Sequence, residues 1–312
     1  MKSITVFAPA TVANVACGFD IFGFAVNEPG DVAKVTLRAN PGVEITRITG
    51  DNGKLPKAAE KNTAGFAAIR YLEAIKSRQG VAIELHKKMP LSSGLGSSAA
   101  SAVAVLFALN TLFDNRLTKS ELLRIAMQSE KLACGAAHAD NVAPAIFGGF
   151  VLIRSYEPPD IIELPVPENL YCTIIHPEIE INTADARNIL SPNVPLKVAV
   201  KQWANTAGLV AGLYRKDIAL ISRSMNDYII EPQRAKLIPH FYEMKKVALD
   251  SGALGCSISG SGPSLFALSN SPEIAQKIAG SMQAVLANYE ICNQIYISTI
   301  NTEGPKIIAQ EG

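Results

Sequence analysis

The stretch Pro90-Leu91-Ser92-Ser93-Gly94-Leu95-Gly96-Ser97-Ser98-Ala99-Ala100-Ser101 constrains this chain more than any other part of it. Before it, Val81, Ile83 and Leu85 alternate with Ala82, Glu84 and His86, which predicts a half-buried strand. After it, small and apolar residues predict a helix over about 97–113. A strand, a glycine-serine loop and a helix in that order can wrap an anion. Glycines let backbone N–H groups turn inward, and the peptide dipoles place roughly half a positive charge at the helix start. Serine hydroxyls add donors or a magnesium ligand, so phosphate is the natural guest. No Lys follows Gly96, which excludes a Walker A loop, and G-x-G-x-x-G is absent. Taken alone, the pattern also suits an ordinary loop with a serine N-cap.

Two more stretches share this character. Gly255-Cys256-Ser257-Ile258-Ser259-Gly260-Ser261-Gly262-Pro263-Ser264 lies between apolar runs. By itself it suits a tight hairpin or bulge; beside the first loop it suggests a second side of a ligand cleft. Ala8-Pro9-Ala10-Thr11-Val12-Ala13-Asn14-Val15-Ala16-Cys17-Gly18-Phe19-Asp20 sets Asn14 and Asp20 among apolar residues, where an acid must be paired or cap a turn.

At 312 residues the chain is long enough for two domains or one large α/β unit. Apolar residues at 48% and charged residues at 18% exclude disorder. Lys and Arg number 29 against 28 Asp and Glu, a net charge of +1, so the chain lacks the overall attraction of a nucleic-acid or membrane-surface binder. Cys17, Cys134, Cys172, Cys256 and Cys292 are far apart and never in C-x-x-C spacing, which argues for free thiols in a reducing cytosol. Pro9 and Asn14 break the apolar start, which reads as a strand rather than a signal peptide. The apolar run 102–109 is shorter than the roughly 18 to 20 residues of a membrane span.

Strands are predicted over 3–7, 32–37 and 81–87, and a helix runs from an Asn62 N-cap until Gly80 stops it. A further helix is capped by Thr118 or Ser120, and 150–153 reads as a strand. Tyr156-Glu157-Pro158-Pro159-Asp160 reads as a turn and boundary, giving domains of 1–158 and 159–312. The second half predicts a strand over 171–175, helices over 196–214, 218–225 and 240–251, and short strands around Ser257 and Leu265. A helix over 272–287 and a strand over 294–299 close it.

In order and spacing, the three blocks resemble the three motifs of the GHMP small-molecule kinases (galacto-, homoserine, mevalonate and phosphomevalonate kinases), and the resemblance covers most of the chain. The string ending at Asp20 and Glu130-Lys131-Leu132-Ala133-Cys134-Gly135-Ala136-Ala137-His138-Ala139-Asp140-Asn141-Val142-Ala143-Pro144-Ala145 are similar to the homoserine-kinase branch. The resemblance implies a two-domain α+β GHMP kinase fold, with an N-terminal domain like the second domain of ribosomal protein S5, a ferredoxin-like C-terminal domain, and the site between them. It implies ATP- and Mg2+-dependent phosphorylation of the side-chain hydroxyl of L-homoserine, giving O-phospho-L-homoserine for threonine synthesis. A homodimer is a further expectation from the resemblance, beside the cytoplasmic location and the absence of nucleic-acid and membrane partners expected from the cysteines, charge and apolar runs. The competing expectations are another GHMP kinase, such as one acting on mevalonate, and a nucleotide-binding pseudokinase regulator.

On the matched positions, the resemblance implies that Leu91, Ser92, Ser93, Gly94, Leu95, Gly96, Ser97, Ser98, Ala99, Ala100 and Ser101 hold ATP, with Asn62 as the adenine contact. Ser98 and Glu130 form the magnesium pair, a hydroxyl and a carboxylate suited to a hard cation. Homoserine is a zwitterion with a primary alcohol. Asp20 with Asn14 is expected to take its ammonium, and Arg187 and Arg234 its carboxylate, through bidentate geometry that Lys lacks. Thr183 and Gly260 complete that set. His138 and Asn141 border the attacking alcohol, with Asn141 orienting it. Asp140 stands behind Asn141 or serves as an optional base, because a loose phosphoryl-transfer transition state demands positioning more than early deprotonation.

Overall fold

The structure, a computed structural model, describes residues 2–134 and 138–312; Met1 and residues 135–137, inside the second signature string, lie outside the described residues, as does the Cys134 side chain. The first half runs β1 (Ser3–Ala13), β2 (Phe22–Arg38), β3 (Val43–Thr49), α1 (Thr63–Ala74), β4 (Gly80–His86), α2 (Ser97–Leu112), α3 (Lys119–Cys134), α4 (Ala139–Phe147), β5 (Phe150–Tyr156) and β6 (Pro159–Leu164). There follow β7 (Tyr171–Pro177), α5 (Thr183–Asn188), α6 (Leu196–Arg215), α7 (Ile218–Ser224), α8 (Glu231–Arg234) and α9 (Phe241–Asp250). The chain ends with β8 (Gly255–Ile258), β9 (Leu265–Ser269), α10 (Pro272–Asn288), β10 (Asn293–Thr299) and β11 (Lys306–Glu311).

Seven strands form one sheet in the order β11-β1-β2-β4-β3, with the β5–β6 hairpin attached to β2. Four antiparallel strands form the other, in the order β10-β7-β9-β8. Helices cross from β7 to β8 and from β9 to β10, the ferredoxin-like βαββαβ arrangement. Residue 158 lies in the turn of the β5–β6 hairpin, both arms of which belong to the first sheet. A border there divides a hairpin; the chain leaves the first sheet between β6 and β7, and β11 returns to pair with β1.

Local sequence explains the central elements. In α2 the residues Ala99, Ala100, Ala102, Ala104 and Ala108 have no exposed surface, and a helix apolar all round belongs inside. The α3 start is a capping box: Glu121 N–H donates to Thr118 Oγ1 at 3.3 Å, and Thr118 N–H donates to Glu121 Oε2 at 2.8 Å. Gly23 in β2 has no room for a side chain, since a Cβ there would stand 2.0 Å from the Asp140 carbonyl oxygen. That contact seats α4 on the sheet.

The entry and exit of the phosphate loop are tied by one buried ion pair. Lys87, at the end of β4, gives its ammonium to Asp31 Oδ2, to the Ser97 carbonyl at 2.7 Å and to Ser101 Oγ. Asp31, on β2, also accepts Ser97 Oγ at 2.9 Å and the N–H groups of Lys88 at 2.8 Å and Met89 at 3.2 Å. Both side chains are 2% exposed, so each charge depends on the other. Lys87→Met is expected to cost about 3–5 kcal/mol by stranding Asp31, whereas the Lys87→Met/Asp31→Asn double variant, which removes the charge but keeps an acceptor for the Lys88 and Met89 N–H groups, recovers part of that loss. Urea unfolding of the three proteins measures this, and equal stabilities would show that the pair does not hold the loop.

Candidate active site

The loop after β4 lines a cleft of about 560 Å³ that takes residues from both halves of the chain. Its backbone turns through the left-handed region at Ser92, Gly94 and Gly96, with φ of 54°, 78° and 67°. A Cβ on Gly96 would stand 2.1 Å from Thr11 Oγ1, and one on Gly94 would stand 2.3 Å from the Ser259 carbonyl. Only glycine fits either place.

The second glycine loop braces the first rather than facing it. Ser259 Oγ donates to the Gly94 carbonyl at 2.8 Å, Ser264 N–H to Ser93 at 3.3 Å, and Gly260 N–H to Ala13 at 2.9 Å. The expectation of two opposing walls is corrected accordingly. From residues 255–264, only Gly260 and Ser261 reach the cleft.

Leu91 to Ser98 and Ser101 line the cleft, whereas Ala99 and Ala100 do not; their methyls are fully buried in α2. Ser97 and Ser101 have their hydroxyls engaged in the Asp31–Lys87 network, and the Leu95 side chain belongs to the core. Asn62 lines the cleft with its amide engaged: Oδ1 accepts Ala64 N–H at 3.0 Å as the cap of α1, and Nδ2 donates to the Pro56 carbonyl at 2.9 Å. By contrast, the buried Oγ atoms of Ser93 and Ser98 have no hydrogen-bond partner among the described residues. Glu130, on α3, lines the same cleft. A buried hydroxyl without a partner and a carboxylate lining the same cleft are the donor types that suit a hard cation such as magnesium. Sequence reasoning passed over Lys54, Lys61 and Lys87, which also line the cleft. Lys61 directly precedes the Asn62 cap, a signal that was available; Lys87 spends its donors within the protein.

The cleft is lined as well by Asn14, Asp20, His138, Thr183, Arg187 and Arg234. Asn14, Ala16 and Asp20 hold positive φ (57°, 46° and 62°), strain of the kind that clusters at functional sites. Asn14 is a strut: Oδ1 accepts Asp20 N–H at 2.8 Å, and Nδ2 donates to the Gly260 carbonyl at 2.9 Å. Arg234 is buried; Nε donates to the Ala186 carbonyl and Nη1 to the Gly260 carbonyl, each at 2.9 Å, which leaves its Nη2 hydrogens for a ligand. Thr183 Oγ1 lies 3.4 Å from Ser261 Oγ. Arg187 and Asp20, assigned from sequence to opposite ends of a zwitterion, are hydrogen-bonded to each other.

The start of α4 carries the last three residues. His138 stands at its N-cap, and burial pulls its imidazole below the usual range against the opposing charge of Asp20. Asn141 Oδ1 accepts Thr11 Oγ1 at 2.8 Å, which fixes the orientation of the amide. Asp140 is buried and its Oδ1 has no hydrogen-bond partner among the described residues. Burial, with the charges of Asp20 and Glu130, pushes its carboxyl up to about 7.

Comparison with known proteins places this cleft in a family. Family models described as the N-terminal and C-terminal domains of GHMP kinases match residues 62–149 and 209–288. Homoserine kinase of Chlorobium phaeobacteroides (strain BS1) is 50% identical over 99% of this chain and 100% of its own length. That of Methanococcus vannielii is 40% identical over 86% of this chain and 88% of its own. The crystal structure of homoserine kinase from Cytophaga hutchinsonii superposes with a TM-score of 0.96, at 59% identity over 98% of this chain and 97% of that one. Mevalonate kinase from L. major shares the fold, with a TM-score of 0.74 at 17% identity over 94% of this chain and 95% of that one. With full-length relatives at this identity and the motif residues gathered on one cleft, the chain belongs to the homoserine kinase family of the GHMP kinases.

Proposed function

We propose that this chain transfers the γ-phosphoryl group of ATP to the side-chain hydroxyl of L-homoserine, giving O-phospho-L-homoserine for threonine synthesis in the cytoplasm. The observation that carries this reading is one cleft joining an anion-binding loop to an acid and two arginines, the charges a zwitterionic amino acid needs. Mevalonate has a carboxylate but no ammonium, so it gives Asp20 no task. Retention of Ser98, Glu130, Asn141 and the glycine loop on one cleft favours a working kinase over a pseudokinase.

The loop at 92–98 holds the phosphates through inward N–H groups and the α2 N-terminus. Ser98 and Glu130 would hold magnesium, which when bound neutralises charge developing on the transferred group. Arg234 and Arg187 take the substrate carboxylate, and Asp20 takes its ammonium. Asn141, its amide fixed by Thr11, orients the hydroxyl toward the γ-phosphorus. Asp140, with a carboxyl poised at about 7, accepts the hydroxyl proton late and without being obligatory.

A coupled ADP-release assay across L-homoserine, mevalonate and other small alcohols tests the reading: turnover with homoserine far above the rest is expected, and turnover with mevalonate alone would overturn it. Arg234→Lys is expected to raise KM for homoserine about 10- to 100-fold, the worth of a hydrogen bond to a charged group, with KM for ATP nearly unchanged. Steady-state kinetics on both substrates checks the split. Asp140→Asn is expected to lower kcat by less than about 100-fold, below the usual contribution of a required general base. Single-turnover measurement decides it, and a larger loss would make Asp140 essential to proton transfer.

A further inference from the structure

The two charges assigned to opposite ends of homoserine satisfy each other in this structure. Arg187 Nη1 donates to Asp20 Oδ1 at 2.9 Å, and Nη2 donates to Oδ2 at 2.7 Å. Two parallel bonds between a guanidinium and a carboxylate are the strong, geometrically selective form of ion pair. The pair borders the cleft with side chains 43% and 25% exposed, so a ligand can reach both members.

The two sides of the pair are held differently. Asp20 is fixed: its N–H is on Asn14 Oδ1, and its carbonyl accepts the Tyr156 hydroxyl at 2.6 Å. Arg187 comes from α5, where Ala186 alone is buried, so its guanidinium can swing without opening the core. Arg187 stands 5.1 Å and the anchored Arg234 4.9 Å from the centroid of the Phe19 ring, so both guanidiniums rest against the same side chain at the cleft.

We propose that the Asp20–Arg187 fork is an exchange lock that selects zwitterions, in which the ligand's ammonium replaces the guanidinium on Asp20 while its carboxylate receives the released Arg187. The proposal rests on the homoserine reading of the cleft. A ligand with both charges trades one ion pair for two. An amino alcohol without the carboxylate takes Asp20 but strands Arg187, and a hydroxy acid without the ammonium strands Asp20. Each one-ended ligand therefore pays for opening the fork as well as for its missing contact.

Arg187→Lys separates this lock from simple contact, because it keeps the positive charge and removes the two-bond fork. Calorimetric titration of wild type and Arg187→Lys, each saturated with a non-hydrolysable ATP analogue and magnesium, uses two probes: L-homoserine and 2-aminobutane-1,4-diol, its analogue without the carboxylate. The lock predicts weaker binding of homoserine to Arg187→Lys, and tighter binding of the aminodiol by about three- to tenfold, on the scale of a part-exposed ion pair. Unchanged or weaker aminodiol binding, with homoserine still bound by the wild type, overturns the lock and leaves the substrate reading standing. No homoserine binding by the wild type overturns both. Unchanged affinity for the ATP analogue shows that the variant is folded, so each result bears on the fork.

Discussion

A lysine ammonium and an aspartate carboxylate closed off from water, Lys87 and Asp31, fix the geometry on which the cleft depends. Neither could be buried alone, because an unpaired ion in the interior costs several kcal/mol or changes its protonation. Together they join β2, the end of β4 and the first turn of α2, so both ends of the glycine loop have set positions. The second glycine loop then presses on the first through backbone contacts that leave no room for a Cβ. A loop held at both ends and braced in this way keeps its backbone set before any ligand arrives. Preorganisation of this kind spares the reaction a reorganisation cost at the moment charge develops.

The charged residues of the cleft are organised by a different rule. They line the cleft, and Asp20 and Arg187 neutralise one another across the two halves of the chain: Asp20 follows β1, while Arg187 and Arg234 come from short helices beyond β7. Asn14 ties the Asp20 turn to the second glycine loop, and that loop's Gly260 carbonyl also anchors Arg234. One backbone carbonyl thus ties the turn that carries Asp20 to the guanidinium of Arg234.

Much of this was legible in the sequence, for physical reasons that also mark where legibility ended. The alternation of β4 and the small residues of α2 are strong periodic signals, and both elements lie where the pattern puts them. The strands β3 and β11 escaped notice because they are edge strands; β11 is exposed along its whole length and carries no inward-facing pattern. No helix was expected over 139–147, where α4 is only nine residues long and holds Pro144 inside it. The motif strings named the cleft residues by type, yet they could not show that Asn14 and Asn62 have their amides engaged in bracing, or that Ala99 and Ala100 face the core. The Asp31–Lys87 pair left no trace in local spacing, since strand pairing alone brings together residues so far apart in sequence.

The central claim is that one cleft, already shaped by its own ion pairs, seats an amino-acid alcohol against the γ-phosphate of ATP. A crystal structure of the protein with L-homoserine, magnesium and a non-hydrolysable ATP analogue tests it most directly. The account predicts the ammonium on Asp20, the carboxylate between Arg187 and Arg234, and the hydroxyl oxygen beside Asn141 at about 3–3.5 Å from the γ-phosphorus. Homoserine bound elsewhere, or with its carboxylate turned toward the glycine loop and its hydroxyl away from Asn141, would contradict it.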